Sequence, residues 1–314
     1  CYGTCNCLGT VWNCIEGGSI MLVSMKEMLH HADKNNYAIM AINCCNMECA
    51  KAIIGAAETE CSPVIINISP RQWKSHASLD ATVPMIQSMA QKAYVPIALN
   101  LDHGQEYNDV VDAIQHGFTN IMFDGSALPY QENLERTALI SDLAHASGCS
   151  IEAELGHVGQ ASAGDGVSDD FYTHVDQAVE FVKQTHVDAL AVAIGTAHGQ
   201  YSQGYVPHLD FQRLKELKAA LQMPLVLHGG SGVGQKNIQK AVALGINKIN
   251  VCTDVFAVGR DRMKTSLEEN PHIDLMDLCL EAEMAMKEYI CSYMQMIGSS
   301  QRYCYCMSVK KEFD

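Results

Sequence analysis

The chain contains no run approaching the roughly 18 to 20 consecutive apolar residues that a membrane helix needs. No basic start followed by an apolar core marks a secretory signal either. No membrane partner is therefore expected. Positive charge is scarce: 21 Lys and Arg stand against 36 Asp and Glu, a formal net charge of -15. That balance argues against a nucleic-acid partner. It leaves room for a small anionic substrate, because a metal ion and backbone N–H groups hold phosphate locally. A disulfide framework is also missing. Of the 14 cysteines, Cys1, Cys5, Cys7, Cys14, Cys304 and Cys306 lie in the two ends, and no CxxC spacing occurs. The thiols read as free, in a reducing cytoplasm. Low-complexity text is absent, as is any His-x-His.

What the chain does have is a recurring apolar, β-branched run with helical text between. Candidate strands fall at 38–43, 63–69, 96–102, 120–125, 150–156, 189–195, 224–230 and 248–254. Near-continuous apolar runs of this length suit parallel strands covered on both faces. Helical spacing follows most of them, at 47–58, 107–116, 134–146, 175–184, 209–221 and 235–244, and Gly117, Gly148 and Gly245 supply stop signals. Successive β-then-α units predict an α/β protein, a (β/α)8 TIM barrel in a single domain. The helical text of 255–297 exceeds one unit and predicts a C-terminal helical extension. Its apolar face carries Leu275, Leu278, Leu280, Met284, Met286, Ile290, Met294 and Ile297, so it either joins subunits or packs on its own barrel. Residues 1–20 hold no Met and no periodicity, whereas helix-like text begins at Met21, with Ser24 and Glu27 spaced as a capping box. The expected organisation is a non-native or disordered tail over 1–20, the barrel with its C-terminal helices over 21–303, and a second tail over 304–314.

On a barrel, catalysis sits at the C-terminal strand ends. Polar residues gather there: Asn43, Ser69, Asp102, His103, Asp124, Glu154, His198, His228, Asn250, Thr253 and Asp254. Three of them, His103, His198 and His228, each follow directly on an apolar run. Three imidazoles converging with one position open form the ligand set of a catalytic zinc. No lysine stands at a predicted strand end, which argues against Schiff-base chemistry; Lys248 opens a strand and is expected at the opposite face.

Several of these segments, read together, resemble the motifs of class II, zinc-dependent ketose-bisphosphate aldolases. They are Leu101-Asp102-His103-Gly104, Asp124-Gly125-Ser126, Glu152-Ala153-Glu154-Leu155-Gly156, Ala193-Ile194-Gly195-Thr196-Ala197-His198-Gly199, Leu227-His228-Gly229-Gly230-Ser231-Gly232 and Ile249-Asn250-Val251-Cys252-Thr253-Asp254. The resemblance runs from about Met21 to about Tyr303 and implies a (β/α)8 barrel that cleaves a ketose 1,6-bisphosphate to dihydroxyacetone phosphate and an aldehyde, reversibly. It implies that His103, His198 and His228 hold Zn2+, whose Lewis acidity stabilises the enediolate left on cleavage. Asp102 matches the acid–base residue for the substrate C4 hydroxyl, with the alternative of a carboxylate that only orients a histidine. Asp124 and Glu154 match residues near the metal, or are rim carboxylates bonded to backbone or histidine. Ser69, Gly199, Gly229, Gly230, Ser231, Asn250, Val251, Cys252, Thr253 and Asp254 match phosphate and substrate positions. A monovalent cation, Na+ or K+, and a homodimer or homotetramer are further implications of the resemblance.

There are two departures. The loop after Glu154-Leu155-Gly156 reads His157-Val158-Gly159-Gln160-Ala161-Ser162-Ala163-Gly164-Asp165-Gly166, without the family's acidic pair. Asp165, Asp169 or Asp170 are the substitutes at hand. After the second strand, Ser69-Pro70-Arg71-Gln72-Trp73 replaces small-residue text, and Arg71 is either a phosphate contact or a solvated charge. Fructose 1,6-bisphosphate is the favoured substrate; tagatose 1,6-bisphosphate or another phosphorylated ketose is the alternative. A zinc hydrolase and a non-catalytic sugar-phosphate-binding barrel are the readings from other classes.

Overall fold

The apolar runs become parallel strands that close on themselves. In chain order they are β1 (Ile39–Asn43), β2 (Val64–Ile68), β3 (Ile97–Gly104), β4 (Asn120–Phe123), β5 (Ser150–Leu155), β6 (Gly159–Gln160), β7 (Ala189–Val192), β8 (Ala197–His198), β9 (Leu225–Leu227) and β10 (Ile246–Val251). The ring order is β1-β10-β9-β7-β5-β4-β3-β2, a closed barrel of eight strands, with β6 and β8 paired separately as a two-stranded sheet. In this computed structural model residues 22–161, 171–202 and 204–303 are described. The two expected tails, and Asp165, Asp169 and Asp170 of the loop, lie outside them.

Strand alternation sorts side chains between two cores. Met40, Ile42, Val64, Ile66, Leu99 and Leu101 face outward into the large core shared with the helices. Ile39, Ala41, Ile65, Ala98, Ala189, Ala191 and Val226 face inward. They meet Met25, Met28, Leu29 and Ala32 of α1 (Met25–Lys34), which packs against β1, β5 and β10 and plugs the lower mouth. Each such large side chain contributes about 1.5–3 kcal/mol by leaving water. The α1 helix starts where expected, with the Ser24 hydroxyl accepting from the N–H of Lys26.

Above that apolar plug the barrel interior turns polar. Asn100 Nδ2 donates to Asn67 Oδ1 (2.9 Å), Asn120 pairs with Asn100, and the Asn120 amide bonds Ser150 Oγ (2.7 Å). Glu152 and Lys248 are fully buried beside this belt, with Lys248 Nζ 2.6 Å from Glu152 Oε2. Lys248 is thus not at the opposite face. It is the third residue of β10, and the strand's period of two puts it on the same interior face as Asn250.

The remaining helices are α2 (Met47–Glu60), α3 (Pro70–Ser75), α4 (Leu79–Ala90), α5 (Tyr107–Gln115), α6 (Tyr130–Ala146), α7 (Val175–Thr185), α8 (Phe211–Leu221), α9 (Gln235–Ala243), α10 (Thr253–Glu269) and α11 (Leu275–Met296). Helices α3 and α4 fill the stretch between β2 and β3, where the β-then-α order calls for a helix but the spacing locates none. Pro84 inside α4 masks its spacing, yet Leu79, Val83, Ile86 and Ala90 are buried on one face. The text of 255–297 forms, as expected, a last barrel helix, α10, and an extension, α11, with the break at Asn270-Pro271. Helix α11 lies along α2 and α10. Its second half buries Met286, Ile290, Tyr293 and Met294, while Leu275, Met276, Leu280 and Met284 stay exposed in the first. Among the described residues every cysteine is a free thiol, and no helix is long and apolar enough to cross a membrane.

Candidate active site

Asp102 and His103 are neighbours on β3, so simple alternation sends them to opposite faces. The backbone prevents this. His103 has φ +54, and the pairing of β3 with β4 shifts register between Leu101 and Gly104. A residue in the left-handed region at a bulge re-aims its side chain, here turning His103 toward the cavity that Asp102 already faces. Such a conformation costs about 1–3 kcal/mol and persists where the surroundings impose it.

His228 follows β9 directly, as expected. His198 does not follow a barrel strand: β7 ends at Val192, and His198 sits on β8, whose partner Gly159–Gln160 continues from the loop after β5. That short outer sheet carries the third imidazole over the barrel mouth. A two-residue strand leaves no periodicity to read.

The three rings converge. Their centroids lie 4.7 Å (His103–His228), 4.9 Å (His103–His198) and 5.8 Å (His198–His228) apart. One nitrogen from each falls within 4.8 Å of the others, and a second such group is His103, Asp124 and Glu154. His103 Nδ1 bonds Asp124 Oδ2 (2.8 Å), and His228 Nε2 bonds Glu152 Oε1 (2.8 Å). The remaining nitrogens, His103 Nε2 and His228 Nδ1, face each other at 3.0 Å. Imidazoles that spend one nitrogen on a carboxylate and turn the other inward fit a divalent metal with nitrogen ligands. Glu154 Oε2 is buried without a hydrogen-bond partner among the described residues, 4.0 Å from His228 Nδ1, an acceptor that a cation would satisfy. The site therefore fits a metal.

Asp102 is 4% exposed and held by two amides: Asn43 Nδ2 donates to Oδ2 (2.9 Å) and Asn250 Nδ2 to Oδ1 (3.0 Å). Burial pushes its carboxyl up, but His103, His228 and Lys248, with the Asn43 amide, outweigh that and hold it below the usual carboxylate range. Burial, and then the Asp124 charge, push Glu154 up to about 8. Burial and the two neighbouring rings push His198 down to about 3. For His103 burial works downward, and the carboxylates of Asp102, Asp124 and Glu154 overcome it, raising the ring to about 10.

A cavity of about 580 Å³ opens over these groups, lined also by Ser69, Arg71, Gly199, Gly229, Ser231, Cys252 and Thr253. Gly229 has φ +65, and a Cβ there would lie 2.5 Å from the Ala197 carbonyl oxygen, so only glycine fits between β9 and the His198 segment. Helix α10 begins at Thr253, presenting its N-terminus beside the cavity. Not every expected binding residue reaches this space. The Val251 side chain is in the core, and Gly230 and Asp254 line an adjacent cavity. Asp254 Oδ2 there accepts from the Gly232 N–H (2.9 Å) and the Tyr289 hydroxyl (3.0 Å). Glu152 and Lys248 were not foreseen at the site. The signal was present: each lies two positions before a rim residue, Glu154 and Asn250, on an alternating strand.

A closed parallel barrel whose C-terminal rim gathers imidazoles, a buried ionised carboxylate and a glycine-framed cavity defines an enzyme of the barrel class. The chain belongs to the class II fructose-bisphosphate aldolase family: the family's sequence model matches residues 23–302. It is a carbon–carbon lyase. The YdjI aldolase of Escherichia coli K12 is 34% identical, with a TM-score of 0.79 over 90% of this chain and 100% of that one. A putative fructose-1,6-bisphosphate aldolase of Coccidioides immitis is 31% identical, with a TM-score of 0.77 over 88% of this chain and 96% of that one. The fructose-bisphosphate aldolase of Campylobacter jejuni, 22% identical with a TM-score of 0.75 over 89% and 96% of the two chains, shares the fold.

Proposed function

We propose that this aldolase uses zinc to cleave a ketose 1,6-bisphosphate, with fructose 1,6-bisphosphate favoured, into dihydroxyacetone phosphate and glyceraldehyde 3-phosphate, and to run the reverse addition. The observation that carries the reading is Asp102, a buried carboxylate fixed by two amides beside three converging imidazoles. His103, His198 and His228 would hold the metal, which supplies positive charge to the ketone and hydroxyl oxygens that become anionic on C–C cleavage.

Asp102 takes the proton of the C4 hydroxyl as the C3–C4 bond breaks. Its depressed proton affinity keeps it a base at neutral pH, and Asn43 and Asn250 aim its oxygens. Ser231, Gly229 and the start of α10 hold the phosphate of the dihydroxyacetone half, where backbone N–H groups and a hydroxyl favour an anion. The free thiols support a reducing cytoplasm as the site of action. The exposed Leu275, Met276, Leu280 and Met284 of α11 support association into a homodimer or homotetramer.

The test is a coupled assay for dihydroxyacetone phosphate, run on protein of measured zinc content with fructose and tagatose 1,6-bisphosphates in parallel. Cleavage that a chelator abolishes and zinc restores is expected, faster on the fructose isomer. A faster tagatose reaction corrects the sugar, and no cleavage of either overturns the reading.

A further inference from the structure

The proposed substrate brings two phosphates, and the phosphate cradle accounts for one. The rest of the cavity lining poses an electrostatic problem for the second. Asp102, Asp124 and Glu154 line the cavity, while Arg71 is the one Arg or Lys among its described lining residues. A bisphosphate entering without a cation at its far end would set that phosphate among carboxylates.

Arg71 stands on a rigid support. Ser69 and Gln72 form a capping box at the start of α3, with Pro70 in the first turn. Gln72 Oε1 accepts from the Ser69 N–H (2.8 Å) and from Asn43 Nδ2 (3.2 Å), and Gln72 Nε2 donates to the Cys44 carbonyl (3.3 Å). The same Asn43 amide donates to Asp102. On the far side Trp73 packs edge-on against Phe118, ring centroids 6.3 Å apart. The residues on either side of Arg71 are thus tied to the base and to the core. The Arg71 guanidinium itself has no hydrogen-bond or ion-pair partner among the described residues, though its charge reaches Cys252 on the cavity wall. The nearby Lys74, by contrast, is paired with Asp109 at 2.5 Å. An unpaired, always-charged fork on a fixed pedestal is suited to an anion that arrives with the substrate.

We infer that Arg71 is the specificity-determining residue for the aldehyde half of the substrate and binds the anionic group that the cradle does not hold. This rests on the aldolase reading above. The shared chemistry is a terminal oxyanion, phosphate or carboxylate, and a phosphate fits the bisphosphate reading.

The test holds the ketone half constant and varies the acceptor. Zinc-loaded wild type, Arg71→Ala and Arg71→Lys are assayed for addition of dihydroxyacetone phosphate to glyceraldehyde 3-phosphate, to glyceraldehyde, and to an ω-carboxy aldehyde of similar length. A charge-assisted contact of this kind is worth roughly 10- to 100-fold. Arg71→Ala should lose that factor in kcat/KM with glyceraldehyde 3-phosphate, mainly through KM, and change little with glyceraldehyde; Arg71→Lys should recover part of it. A larger loss with the carboxy aldehyde than with the phosphate reassigns the anion to a carboxylate and overturns the phosphate assignment. An equal loss on all three acceptors, or no loss on any, overturns the role of Arg71. Wild-type protein inactive with every acceptor instead overturns the aldol reading, and the inference falls with it.

Discussion

Asp102 and Glu154 are buried carboxyls on one rim, and their surroundings push their proton affinities apart. Two amides and nearby positive charge keep Asp102 ionised, while burial beside Asp124 lifts Glu154 to about 8. In the proposed reaction that separation suits Asp102 to the role of base. Glu152 acts one step back: it bonds His228 Nε2 and leaves Nδ1 facing inward. Glu152→Gln should therefore lower zinc affinity about 10- to 100-fold, read by competition with a chromogenic chelator, with the fold retained by circular dichroism. Unchanged affinity would show that His228 needs no such partner. At this scale much of the site was legible. Asp102, His103 and His228 stand in strand-end motifs that alternation can place. His198 was singled out as the end of an apolar run, but the strand in that run stops at Val192, and the two-residue β8 that holds the histidine depends on pairing with a loop far away in sequence. Val251 shows the converse, a motif residue whose side chain strand alternation sends into the core.

At the scale of elements, short contacts lock strands and helices in place. Gly229 separates β9 from the segment carrying His198, and a side chain there collides with the Ala197 backbone. Gly229→Ala should cost activity through displacement of His198 and the phosphate cradle; wild-type kcat/KM and zinc content in that variant would show the crowding to be harmless. At the lower mouth, Asp188 ties three elements: Lys26 of α1 at 2.8 Å, His145 of α6 at 2.9 Å, and the Ile151 N–H of β5 at 2.9 Å. Burial raises its carboxyl, but these three partners prevail and depress it. A depressed folded value means stability that is present above the unfolded value, near 3.9, and lost as pH falls through the folded one. Asp188→Asn should lower stability by roughly 1–3 kcal/mol at neutral pH, with the gap to wild type closing below about pH 4. Denaturant melts across pH check this, and a gap independent of pH contradicts it. The barrel strands were readable because parallel strands are continuous apolar runs. Helices α3 and α4 were not, because α3 is six residues long and α4 carries Pro84.

The whole molecule runs from an apolar mouth sealed by α1 to a polar rim, and its interior changes character layer by layer. That gradient places all the chemistry at one end. The first half of α11 adds an apolar face that its own barrel leaves uncovered, with Leu275 75% and Met276 68% exposed. Replacing Leu275, Met276 and Met284 together by Glu should shift a sedimenting oligomer toward the monomer, and an unchanged sedimentation coefficient would assign the assembly to another surface. The proposed division of roles, in which the imidazoles hold the metal and Asp102 moves the proton, is tested by measuring zinc per subunit and cleavage turnover, side by side, in His103→Ala and Asp102→Asn. The prediction is that His103→Ala loses both zinc and activity, whereas Asp102→Asn keeps its zinc and loses turnover by roughly 10²- to 10⁴-fold. Equal loss of metal in both variants, or full turnover in Asp102→Asn, would contradict it.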